Sequence, residues 1–107
     1  MISDSTLTNP KNDLRQQAHE LFIGGEYYKA TSFYEQLIEV EPDVKSHYWY
    51  LGLTLLRQGK EIEAQTTWAL AIMEGEPEQV ELWSNELIEV LETEAKRLSA
   101  LKEYASV

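Results

Sequence analysis

Cysteine is absent from the 107 residues, which removes disulfides, thiolate nucleophiles and zinc–thiolate sites together. Histidine occurs only twice, at His19 and His47. Basic residues are scarce as well: nine Lys and Arg stand against 19 Asp and Glu, a formal charge of −10. That balance argues against a nucleic-acid partner, because phosphate backbones select basic patches. It argues equally against an anionic membrane surface. Long apolar runs are missing: the longest, Trp68 to Met73, is far short of the ~20 residues a membrane span needs. The stretch from Met1 to Asn9 is polar and has no basic segment ahead of an apolar one, so no signal peptide is expected. A cytoplasmic protein with one domain, large enough to bury a core without a staple, is the expectation.

Strand patterning is also missing, since strict period-2 alternation occurs nowhere, and helical spacing recurs throughout. Residues 1–9 carry small polar groups and read as a mobile tail. Asn9 suits an N-cap and Pro10 the first helical position, where its missing N–H costs nothing. Leu14, Ala18, Leu21 and Phe22 then recur at helical spacing until Gly24-Gly25. Tyr27, Ala30, Tyr34, Leu37 and Ile38 form a second series, closed by Pro42. Tyr48, Leu51, Gly52, Leu55 and Leu56 form a third, ending at Gly59. Ile62, Ala64, Thr67, Trp68, Ala71 and Ile72 form a fourth, ending at Gly75. From Pro77 nothing interrupts a last helix to about residue 105, along which Val80, Trp83, Leu87, Val90 or Leu91, Ala95, Leu98, Leu101 and Ala105 make a narrow stripe. At ~1.5 Å per residue that helix would be roughly 40 Å long. Trp83 and Leu87 are expected to cover the preceding hairpin.

A shift of 34 residues aligns Lys11 with Lys45, Leu21 with Leu55, Gly25 with Gly59, Ala30 with Ala64 and Ile38 with Ile72. The kinds of residue matter more than their number: a glycine at each turn, an alanine in each second helix, aliphatics on the inner face. The second unit reads Tyr48-x2-Leu51-Gly52-x2-Leu55, then Ala64-x3-Trp68, then Pro77. The first reads Leu14-x2-Gln17-Ala18-x2-Leu21, then Ala30-x3-Tyr34, then Pro42. This pattern resembles the tetratricopeptide repeat family. Gln17 replaces the usual leucine, leucine replaces tyrosine in both first helices, and Pro77 falls one residue late. The resemblance implies an all-α fold, a stack of two helix-turn-helix hairpins over about 11–44 and 45–78. A long capping helix over about 78–105 would complete an α-solenoid. Neither hairpin could bury its apolar face alone, so stacking is required.

In that family the first helices line a concave groove. Carried over, groove positions fall on Asn12, Arg15, Gln16, His19, Phe22 and Ile23 of the first unit and on Ser46, Trp49, Tyr50, Leu53, Leu56 and Arg57 of the second. Some members clamp a partner's terminal carboxylate there, but His19 and Tyr50 stand where asparagines belong, so the clamp is rejected. The groove that remains is aromatic and aliphatic, edged by Arg15 and Arg57, and suits an apolar peptide or the apolar face of a helix; the alternative is that these residues pack against the last helix or a second copy of the chain. The expected function is a non-catalytic scaffold for a protein or peptide partner. No catalytic residue, cofactor or metal site is expected. Gly24-Gly25 lacks the lysine and hydroxyl of a phosphate loop. Two histidines on plain helices assemble no catalytic triad, and His47 reads as solvated. Glu39, Glu41, Glu74, Glu76 and Glu78 read as solvated charge at turns, and Glu86, Glu89, Glu92 and Glu94 as the outer side of the last helix.

Two alternatives stand beside the scaffold. The run YWYLGLTLLRQG with EAQTTWALAI resembles the bacterial repeat arrays that precede the catalytic domain of O-linked N-acetylglucosamine transferase-like proteins. That implies an N-terminal module of a larger enzyme. Alternatively the stripe Leu91, Ala95, Leu98 and Leu101 on the last helix serves a homodimer.

Overall fold

The computed structural model describes residues 10–105, so the tail read over residues 1–9 and its Asn9 cap lie outside the described residues. The described chain is all-α. Five helices follow one another: α1 (Pro10–Ile23), α2 (Tyr27–Val40), α3 (Lys45–Arg57), α4 (Glu61–Met73) and α5 (Pro77–Ala105). There is no strand among the described residues, and no described helix is long and apolar enough to cross a membrane.

The first and third helices end in the same way. Gly25 and Gly59 sit at φ 81° and 83°, a left-handed conformation that a side chain disfavours by about 1 kcal/mol or more. Around the first, the Glu26 N–H donates to the Leu21 carbonyl at 2.8 Å and the Gly25 N–H to Phe22 at 3.1 Å. Around the second, the Lys60 N–H donates to Leu55 at 3.0 Å and the Gly59 N–H to Leu56 at 2.9 Å. Both are Schellman caps, which satisfy carbonyls the helix end leaves open. The cap therefore repeats bond for bond at the 34-residue step found in the sequence. α2 ends differently: Glu41 donates its N–H to the Leu37 carbonyl at 2.7 Å, and Pro42 prevents another turn.

Contacts group the chain into two compact units, Met1–Trp68 and Ala69–Val107. In the first, α1 packs on α2 and α2 on α3. Its core holds Ala18, Phe22, Ala30, Tyr34, Leu37, Trp49, Leu53, Leu55 and Ala64. Each large apolar side chain buried there contributes about 1.5–3 kcal/mol. Ala30 and Ala64, the small residues of the repeat, are fully enclosed. α3 meets α4 where Trp68 lies on Gly52. A Cβ at Gly52 would stand 1.9 Å from Trp68 Nε1, and that Nε1–H donates to the Trp49 carbonyl at 3.1 Å. The glycine is thus a seat for an indole.

In the second unit another tryptophan occupies a glycine seat. A Cβ at Gly75 would fall 2.4 Å from Trp83 Cζ3. The Glu76 N–H donates to Gln79 Oε1 at 3.0 Å, satisfying one of the open donors where α5 begins. Leu87 is buried. Glu94 corrects the expectation of an acidic outer face: it is only 7 % exposed. Both its oxygens accept from Arg97, at 2.8 Å each. The seven-residue step from Leu87 to Glu94 was the overlooked signal, because it puts the two on one helical face.

Candidate functional site

α1, α2 and α3 converge on a pocket of about 270 Å³. α1 supplies Arg15 and His19, α2 supplies Tyr34 and Leu37, and α3 with the residue before it supplies Val44, Ser46, His47 and Tyr50. The helical step of three to four residues aims Arg15 and His19 the same way, and on α3 it brings Tyr50 to the side of both His47, three residues before it, and Ser46, four before it. Aromatic rings form the wall. Tyr34 and Tyr50 stack at 5.9 Å with 14° between planes. His19 meets Tyr50 edge-on at 6.3 Å, and Phe22 meets it edge-on at 5.8 Å. Such pairs add about 0.5–1.5 kcal/mol each beyond the area they bury. Burial, with Tyr50 beside it, pushes the Tyr34 hydroxyl well above the usual tyrosine range, so that hydroxyl carries no charge near neutral pH.

At the pocket's edge Glu41 joins two helices to one loop. Arg15 of α1 reaches it with two parallel bonds, Nε to Oε1 at 3.0 Å and Nη2 to Oε2 at 2.5 Å. His47 of α3 reaches the same Oε1 through Nε2 at 2.9 Å. The Arg15 guanidinium first, and His47 second, hold the Glu41 carboxyl below its ordinary range. His47 is 5 % exposed and Glu41 has 11 % of its side chain open, so neither is the solvated group expected from the sequence. The contact escaped sequence reasoning because Glu41 lies past the end of α2, where helical periodicity carries no information.

Chemically the arrangement is a clasp. A general base needs a pKa lifted towards neutrality and a lone pair facing substrate. Glu41 has the opposite shift, and both its oxygens are engaged. Among the described residues no group of three His, Cys, Asp or Glu is placed to hold a metal ion.

The groove expected from the sequence divides in two. Phe22, Trp49 and Leu53 are 1 %, 1 % and 2 % exposed, so they are core and offer no surface to a visitor. Apolar residues on that face bury themselves whenever the chain can cover them. Arg15 and His19 are exposed and Tyr50 half-buried, and the pocket brings these three together. Leu56 is half-buried and does not line the pocket. Arg57 is turned elsewhere: its guanidinium lies 5.4 Å over the Tyr27 ring, and its Nε donates to the Tyr27 hydroxyl at 3.1 Å. On α5, Leu91 and Leu98 are half-buried, whereas Ala95 and Leu101 are exposed. Among the side chains of the described residues, the Trp49 indole N–H is buried without a partner.

Comparison of the chain with protein-family models, curated proteins and solved structures finds no match.

Proposed function

We propose that this chain is a non-catalytic protein-binding module of two tetratricopeptide-type hairpins and a closing helix. It takes an apolar or aromatic side chain of a partner peptide into the Arg15–His19–Tyr50 pocket. The repeated Schellman cap at Gly25 and Gly59, with the enclosed Ala30 and Ala64, supports the repeat reading. The pocket itself carries the binding reading. A volume of about 270 Å³ suits one large side chain. Its walls are rings and aliphatics, and its rim offers Arg15, His19 and Ser46 for the polar backbone of a peptide. Aromatic residues and arginine in a partly formed pocket are what anchor a bound segment.

The test is selection of peptides from a random library against the protein, followed by affinity measurement on a Ser46→Trp variant. Ser46 is exposed on the pocket wall, so an indole there fills the pocket without entering the core. Selected peptides should share a Leu, Phe or Trp anchor and bind the variant at least tenfold more weakly, with the denaturation midpoint unchanged. Peptides that bind both proteins equally would remove the pocket from the binding site.

A further inference from the structure

Beside its buried face α5 carries an apolar seam that the described residues cover only in part. Ile88, Leu91, Ala95 and Leu98 follow one another at steps of three, four and three, the spacing of a helix–helix seam. Ile88 is 51 % exposed, Ala95 is exposed, and Leu91 and Leu98 are half-buried. The seam runs along the shoulder of the face holding Leu87 and Glu94, which is buried: Leu91 and Leu98 stand four residues beyond those two, and Ile88 and Ala95 turn further towards solvent. Charge along the helix is lopsided. Glu78, Glu81, Glu86, Glu89 and Glu92 crowd the first part, whereas in the rest Lys96, Arg97 and Lys102 outnumber Glu94 and Glu103, with Glu94 paired to Arg97, so that part is slightly basic.

We propose that the open seam binds the same seam of a second copy, with the two α5 helices antiparallel about a two-fold axis near Thr93. Antiparallel pairing sets the acidic half of each helix against the basic half of the other, whereas parallel pairing sets acid on acid. A helix with both halves is complementary to itself, which is what an isologous contact requires. In this register Leu91 of one copy meets Ala95 of the other, and Ile88 meets Leu98. The Ala95 methyl at the centre lets the backbones approach closely.

The absence of native cysteine makes the register directly testable. Light scattering of the full chain should give twice the monomer mass, and Ile88→Glu, at an exposed position, should give the monomer with unchanged helical circular dichroism. The axis sets Ser84 opposite Lys102. A chain carrying only Ser84→Cys, mixed with one carrying only Lys102→Cys, should form a disulfide-linked dimer on oxidation, and each chain alone should not. Both positions lie off the apolar residues of the seam, so the cross-link decides the matter even if Ile88→Glu fails to fold. A monomer at every concentration, or self-linking of the Ser84→Cys chain as efficient as the mixture, overturns the proposal.

Discussion

α1 and α3 are the same helix 34 residues apart, with the same glycine cap, and their equivalent faces meet opposite fates. Arg15 and His19 of α1 rim an open pocket. Trp49 and Leu53, their counterparts in α3, are sealed in the core. Backbone and turn are therefore not what opens or closes this face. Side-chain chemistry decides it: a guanidinium and an imidazole keep water, while an indole and an isobutyl group exclude it. The sealed helix shows one cost. The Trp49 N–H is buried without an acceptor, an arrangement that disfavours folding by about 1–3 kcal/mol relative to a satisfied one.

The sharpest way to break the comparison is to empty both positions. Trp49→Ala should lower stability by about 3–5 kcal/mol, the range for a large aromatic removed from a packed interior. The loss exceeds any relief from deleting the orphaned N–H. Arg15→Ala, at the equivalent place, should move the urea midpoint far less, because that side chain is 46 % exposed, so little packing is lost and water screens its end of the ion pair. Equal shifts for the two variants would mean that the open and sealed faces are not different environments.

A smaller effect is expected where the hairpins differ in size rather than polarity. Gly52→Ala puts a methyl into the Trp68 indole, which is held by its bond to the Trp49 carbonyl. Overpacking of this kind costs about 1–3 kcal/mol and outweighs the ~1 kcal/mol that alanine gains over glycine in a helix. The first hairpin avoids the conflict with Ala18 and the smaller Tyr34 at the equivalent positions. Adding Trp68→Tyr to Gly52→Ala copies that solution, so the double variant should be more stable than the two losses summed. Strict additivity, read from chemical denaturation, would show that the glycine seat is not what joins α3 to α4.

These contrasts mark what was legible in the sequence. Gly25, Gly59, Pro42 and Pro77 placed the helix ends, because each acts through its own backbone within a few residues. Ala30 and Ala64 announced close packing by recurring at the period. Exposure was not legible for Trp49 and Leu53. An apolar residue on a groove position reads the same whether it awaits a partner or is already covered. The Glu41–His47 contact was invisible for another reason: a loop residue has no periodic face, and its partner depends on where the next helix starts. Glu94 was readable, but only by trusting the seven-residue step over the charge.

The smallest effect sharpens the comparison at its polar end. Glu41 binds its proton less readily in the folded protein than its ordinary value of 4.5, because Arg15 and His47 both favour the carboxylate. Above 4.5 the group is ionised folded or unfolded, and the clasp contributes fully. As the pH falls below that value the unfolded chain takes up the proton first. Stability therefore declines, and the contribution is gone once the pH has passed the lower, folded value. Glu41→Gln removes the titrating group, so its stability at neutral pH should be lower and its decline in acid shallower than in the parent. The measurement is the urea midpoint from pH 6 downwards, near pH 3 included. Trp49→Ala should lower the curve without changing its shape, since no titrating group is lost. If Glu41→Gln merely displaces the curve in that way, the clasp is not electrostatic, and the polar helix differs from the sealed one only in what surrounds it.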